Sequence, residues 1–179
     1  MPAMRRNSRA GTRFISKKGH APAMSDGKRD GAAGKAIPEG WLGDGYRVRI
    51  HWDDTDCTKR VYLGKYIKWI DDAATEYLRA RGMVFDPDGW LRFDGKELGE
   101  SFVVGEYSCR IEHTSDFDDL LTVKIRVKEK RPKVLVFEGD ISDQKGTVVA
   151  RGTLTYIYIR KVDGGMKAAE MPPAVSSRL

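Results

Sequence analysis

From Leu63 to Arg81, apolar side chains return every three or four residues: Leu63, Tyr66, Ile67, Ile70, Ala73, Ala74, Tyr77 and Leu78. Lys65, Lys68, Asp71, Asp72, Glu76 and Arg79 fall between them. This spacing predicts a helix of about five turns with a broad apolar stripe. Gly82 supplies its stop. A stripe that wide has to be covered, and the rest of the chain offers mainly strands to cover it.

Those strands are read from alternation and turn chemistry. Tyr46 to Trp52 alternates apolar and polar residues ahead of the helix. Beyond it, Phe102–Glu112, Leu120–Lys130, Val134–Ile141 and Thr147–Arg160 read as four long strands. Lys130-Arg131-Pro132-Lys133 and Ser142-Asp143-Gln144-Lys145-Gly146 are the turns of antiparallel hairpins. Residues 83–100, carrying Asp86-Pro87-Asp88-Gly89, read as loop, and the chain from Met171 on as an extended tail. One strand, one helix and four strands is an α+β order. A five-stranded antiparallel sheet wrapped around the helix would bury the stripe. Its exposed edges invite pairing with a second copy, so at least a dimer is expected.

Between the first strand and the helix lies Trp52-Asp53-Asp54-Thr55-Asp56-Cys57-Thr58-Lys59-Arg60-Val61-Tyr62. It places Asp56 just ahead of a helix start, where backbone N–H groups lack partners and the dipole favours negative charge. A carboxylate beside such donors can act on a carbonyl whose oxygen they hold. Alone, Asp56 reads more readily as a cap or a solvated turn residue than as a catalytic group; Asp54 reads as structural.

Composition removes several other classes. At 179 residues the chain is long enough for one domain with a real core. No apolar run reaches the roughly 18 residues of a membrane span. Of 32 Lys and Arg and 26 Asp and Glu, nine and four fall in residues 1–44, so the remainder is near neutral and presents no basic face for nucleic acid. Residues 1–44, rich in Gly, Ala, Lys and Arg, read as a disordered basic tail. Arg5-Arg6 lacks the apolar stretch of an export signal, the Gly-rich continuation fits a mitochondrial presequence poorly, and Met24 is an alternative start. Cys57 and Cys109 are too few for a disulfide framework, and His20, His51 and His113 stand apart, so no metal and no cofactor are expected. There is no G-x-S-x-G, no phosphate loop and no internal repeat.

Two separated stretches carry a family resemblance. The first runs from Asp54-x-Asp56 through Leu63-Gly64-Lys65-Tyr66 to Trp69-Ile70-Asp71-Asp72-Ala73-Ala74. The second is Thr114-Ser115-Asp116-Phe117-Asp118-Asp119-Leu120-Leu121-Thr122-Val123, leading to Lys130-Arg131-Pro132-Lys133. In this order they resemble the hotdog-fold acyl-CoA thioesterases of the 4-hydroxybenzoyl-CoA thioesterase type, over roughly residues 45–173, with 174–179 as a short C-terminal tail.

The resemblance implies that Asp56 is the catalytic aspartate, as nucleophile or general base, and that the Leu63 N–H binds the thioester oxygen. Trp52, Tyr62 and Tyr66 would contact the acyl group; Arg131 and Lys133 would meet the phosphates of CoA. The expected protein is a cytoplasmic homodimer or homotetramer that hydrolyses an aromatic or medium-chain acyl-CoA. The turn Cys57-Thr58-Lys59-Arg60 departs from the family's small, Gly-rich pattern. Two alternatives keep the fold: an acyl-CoA binder without turnover, and a thioesterase for acyl-carrier protein. The branch using a helix carboxylate would need Glu76 or Asp72, both on the polar face, and a hotdog dehydratase would need a histidine that His51 and His113 supply poorly.

Overall fold

The computed structural model of the protein describes residues 44–179. The basic tail expected over residues 1–44 therefore lies, except for Asp44, outside the described residues. Tyr46–Arg49 forms β1, and a single 3-10 turn follows at Trp52–Asp54. Helix α1 runs over Leu63–Arg79. Its end is set by Gly82, whose φ of +81° is a left-handed conformation that glycine adopts without a side-chain clash. Long strands follow: β5 (Glu100–Ile111), β6 (Leu120–Arg131), β7 (Val134–Ser142) and β8 (Val148–Val162).

The sheet has the order β1-β6-β7-β8-β5, antiparallel at every pairing. It wraps α1, which is the hotdog arrangement. Ile70, Ala73, Ala74, Tyr77 and Leu78 of α1 are buried against Leu121, Ile125, Phe137 and Leu154 of the sheet. Two glycines let the helix approach closely. Gly139 and Gly152 are direct partners on β7 and β8. A Cβ at either would meet the Ile70 side chain, at 3.1 Å and 2.7 Å respectively. Tyr77 adds an edge contact to Phe137, with ring centroids 5.3 Å apart.

Four regions differ from the expectations. The segment read as loop contains β2 (Met83–Phe85), β3 (Leu91–Phe93) and β4 (Lys96–Glu97), a separate three-stranded sheet. Its turn is the one the residues announced: Asp86 Oδ1 accepts the N–H groups of Asp88 and Trp90. Strands of two or three residues are too short to display alternation, which is why only their turns were visible. A sixth strand joins the main sheet: β9 (Gly165–Ala168) pairs with β8 from Ile159 to Val162, beyond the reach of β7.

Nor is the chain an extended tail from Met171 on. Met171 and Val175 are buried, Pro173–Ser176 forms a short helix, α2, and Met171 N–H donates to the Pro132 carbonyl. Two apolar side chains are too few to make a periodic signal. The expected strand Tyr46–Trp52 likewise stops early, because the Asp54 carboxylate draws the chain into a turn by accepting the His51 N–H at 2.8 Å.

Candidate active site

The two sequence stretches that carry the family resemblance meet in space. Arg60 and Asp116 form an isolated antiparallel bridge, and Val61 N–H donates to the Ser115 carbonyl at 3.0 Å. Ser115 N–H reaches the Tyr66 hydroxyl at 3.2 Å. Trp52 stacks on Phe117 with ring centroids 4.3 Å apart and an 18° tilt. The loop is also fastened to the end of β1, where Ile50 and Asp119 share a backbone hydrogen bond and Arg49 pairs with Asp118. Segments about sixty residues apart in the chain thus build one surface.

Asp56 sits in a tight turn on that surface. Its N–H donates to the Arg60 carbonyl at 2.9 Å and its own carbonyl accepts the Lys59 N–H at 3.0 Å. Lys59 takes a φ of +65°, a conformation costing a side-chain-bearing residue about 1–2 kcal/mol. In the turn that the resemblance implied would be small and Gly-rich, a lysine bears the strain. Asp56 Oδ1 accepts both the Thr58 hydroxyl, at 2.6 Å, and the Thr58 N–H, at 2.7 Å. Those bonds, the hydroxyl first, hold the carboxyl below the usual aspartate range, so it is ionised at neutral pH.

The helix start beside it keeps free donors. Tyr62 N–H is taken by the Asp54 carbonyl at 2.8 Å, and Lys65 N–H by the Tyr62 carbonyl at 2.9 Å. No side chain caps α1. Among the described residues nothing accepts the N–H of Leu63 or Gly64. Asp54 is indeed structural: it is buried, accepts the His51 N–H and pairs with Lys65 at 2.8 Å. Burial pushes its pKa up, but Lys65 and the His51 N–H outweigh that and hold it down.

The remaining expected site residues divide. Trp52, Tyr62 and Leu63 lie at this surface with more than half of each side chain exposed. Tyr66 is instead buried at 1% exposure, turned inward against Trp69 and toward Ser115. The Ser115 hydroxyl, beside it, is the buried side-chain polar atom without a partner among the described residues. Phe117 was not among the expected site residues; its stacking on Trp52 brings it to the site, and its odd position in an acidic stretch was the available signal.

Arg131 and Lys133 lie at the far end of β6, whose twelve residues extend on the order of 37 Å from the Asp116 end. Arg131 is engaged by both oxygens of Glu129, at 2.6 and 2.7 Å. Lys133 lines an open groove with Arg160 and Lys167. A single chain therefore does not bring them to Asp56, which in that chain faces solvent. Of the polar-face carboxylates, Asp72 pairs with Lys68 and Glu76 with Arg79.

A family model for the thioesterase-like superfamily matches residues 50–179. The chain is 31% identical over 140 residues to the acyl-CoA thioesterase YbgC of Haemophilus influenzae, covering 75% of this chain and 93% of that protein. Among solved structures it is similar to a mutant 4-hydroxybenzoyl-CoA thioesterase bound to 4-hydroxybenzoyl-CoA. That match has a TM-score of 0.66 and 22% identity, over 77% of this chain and 97% of the other. It is also similar to a 1,4-dihydroxy-2-naphthoyl-CoA thioesterase from Synechocystis, with a TM-score of 0.64 and 15% identity over 78% and 95% of the two chains. At these identities the structural likenesses establish the fold.

Proposed function

The chain belongs to the thioesterase-like superfamily, and from that premise we propose that it hydrolyses an acyl-CoA thioester to the free acid and CoA. The observation that carries this reading is an ionised carboxylate, Asp56, in a turn leading into a helix whose first N–H groups are unengaged. The thioester oxygen accepts the Leu63 N–H, joined by that of Gly64, and gains negative charge as the carbonyl carbon becomes tetrahedral. One pre-aimed donor of this kind lowers a barrier by about 3–4 kcal/mol. The helix dipole adds to it.

Two routes then lead to the same products. In one, Asp56 attacks the carbonyl carbon, the thiolate of CoA leaves, and water cleaves the mixed anhydride to regenerate the carboxylate. In the other, Asp56 takes a proton from water as the water attacks, and collapse of the tetrahedral intermediate breaks the C–S bond and releases the thiolate of CoA, which takes up that proton. The exposed plate of Trp52 and Phe117 and the neighbouring Tyr62 suit a flat, aromatic acyl group, as do the substrates named for two of the structural neighbours.

In this reading a second copy completes the site. Strand β5 is an edge with exposed Val104, Tyr107 and Ile111. Antiparallel pairing of two β5 edges turns one copy end for end. The Arg131–Lys133 hairpin of one chain then lies toward the Asp56 end of the other, and the CoA phosphates bridge the two.

The test is thiol release from a panel of aromatic and medium-chain acyl-CoA substrates by wild type and Asp56→Asn. Turnover by wild type and its loss by at least a hundredfold in the variant, with acyl-CoA still bound, is expected. A second reading, an acyl-CoA binder without turnover, is favoured by the exposure of Asp56 and by the cations Lys59 and Arg60 in its turn. Tight binding with no thiol released by wild type would decide for it.

A further inference from the structure

We propose that Thr58 is the positioning residue of Asp56: its hydroxyl and N–H together hold Oδ1, so that Oδ2 alone is presented to the reacting carbonyl or water. This rests on the hydrolase reading above, and it concerns how the carboxylate is aimed rather than whether it acts. Both donors converge on the same oxygen, at 2.6 and 2.7 Å. The Arg60 backbone N–H adds a lesser contribution to the same carboxyl, behind both Thr58 donors.

The backbone of Asp56 is pinned on both sides by Arg60 and Lys59, so the remaining freedom is rotation of the side chain itself. Two charge-assisted bonds to one oxygen remove that rotation. An exposed carboxylate without them would sample several rotamers, few of them aligned with a thioester held at the helix start. The backbone N–H persists with any residue at 58. What threonine adds is the hydroxyl, and in a turn where the strained φ falls on Lys59, position 58 is free to carry a side chain.

The experiment compares wild type with Thr58→Val, Thr58→Ala and Thr58→Ser, with Asp56→Asn as the reference for a lost carboxylate. Val and Ala are expected to lower kcat roughly tenfold with little change in KM, and to move the acid limb of the kcat/KM profile to higher pH. Ser is expected to restore both. Titration of the Asp56 carboxyl carbon by NMR in the same variants should rise in parallel, a readout that does not depend on turnover. Wild-type kcat and an unmoved acid limb in Val and Ala would overturn the positioning role while Asp56→Asn remains inactive. Full turnover by Asp56→Asn would instead remove Asp56, and Thr58 with it, from the chemistry, whereas no thiol release by wild type would overturn the hydrolase reading beneath it. Should Val melt early, Ala and the carbon titration decide.

Discussion

Asp54 and Asp56 are two residues apart and differ in what their carboxylates are for. Asp54 is buried, turned inward and engaged by Lys65 and the His51 N–H, whereas Asp56 faces outward with its Oδ1 held by Thr58. The folded pKa of Asp54 is depressed, so its contribution to stability is present above the unfolded value of about 3.9 and is lost as pH falls through the folded one. Asp54→Asn is therefore expected to lower the melting temperature near neutral pH, by the roughly 1–3 kcal/mol of a broken buried polar pair. The difference from wild type should shrink as pH drops below 4, followed by thermal melts across pH. A constant difference at all pH values would mean that the ionised pair does not stabilise the turn.

At the scale of elements, the contact between α1 and the sheet depends on the absence of two β-carbons. A Cβ at Gly152 would lie 2.6 Å from the Ser108 carbonyl oxygen, a backbone atom, besides crowding Ile70. At Gly139 only the Ile70 side chain is met, at 3.1 Å and beyond. Gly152→Ala is expected to cost about 1–3 kcal/mol, and shortening Ile70 will not recover it. Gly139→Ala costs less, and Ile70→Val recovers little of it, because it removes only Cδ1 at 3.4 Å and keeps both γ carbons at 3.1 Å. Denaturant melts of the two glycine singles and of each combined with Ile70→Val check this; full rescue at Gly152 would show that the backbone clash with Ser108 relaxes away.

For the whole molecule, the exposed β5 edge and the separation of Asp56 from Lys133 bear on one assembly. A dimer through β5 is expected in solution, and Tyr107→Asp with Val104→Lys should yield monomers with little activity, by light scattering and thiol release together. Complementation tests which chain supplies what. Asp56→Asn chains mixed with Arg131→Ala/Lys133→Ala chains should recover activity, since mixed dimers hold one site with both parts intact. If the mixture stays as poor as its components, either the hairpin serves its own chain or it binds no nucleotide.

Much of the wrapped sheet was legible because its elements are long. The stripe from Leu63 to Leu78 shows a period, and β6, β7 and β8 are separated by turns whose chemistry is explicit. The strands of residues 83–97 and the docked Met171 and Val175 were not legible: two or three residues have no period, and their burial is decided by partners distant in the chain.

The same division holds at the site. By itself the sequence determined that a carboxylate-bearing turn precedes a helix start, because both are local facts of residue type and spacing. Only the tertiary structure decided that Tyr66 faces inward, that Phe117 lies on Trp52, and that Arg131 and Lys133 stand a strand's length away. Side-chain direction and distance between segments depend on how strands and helix pack together, and chain order alone carries no such measure.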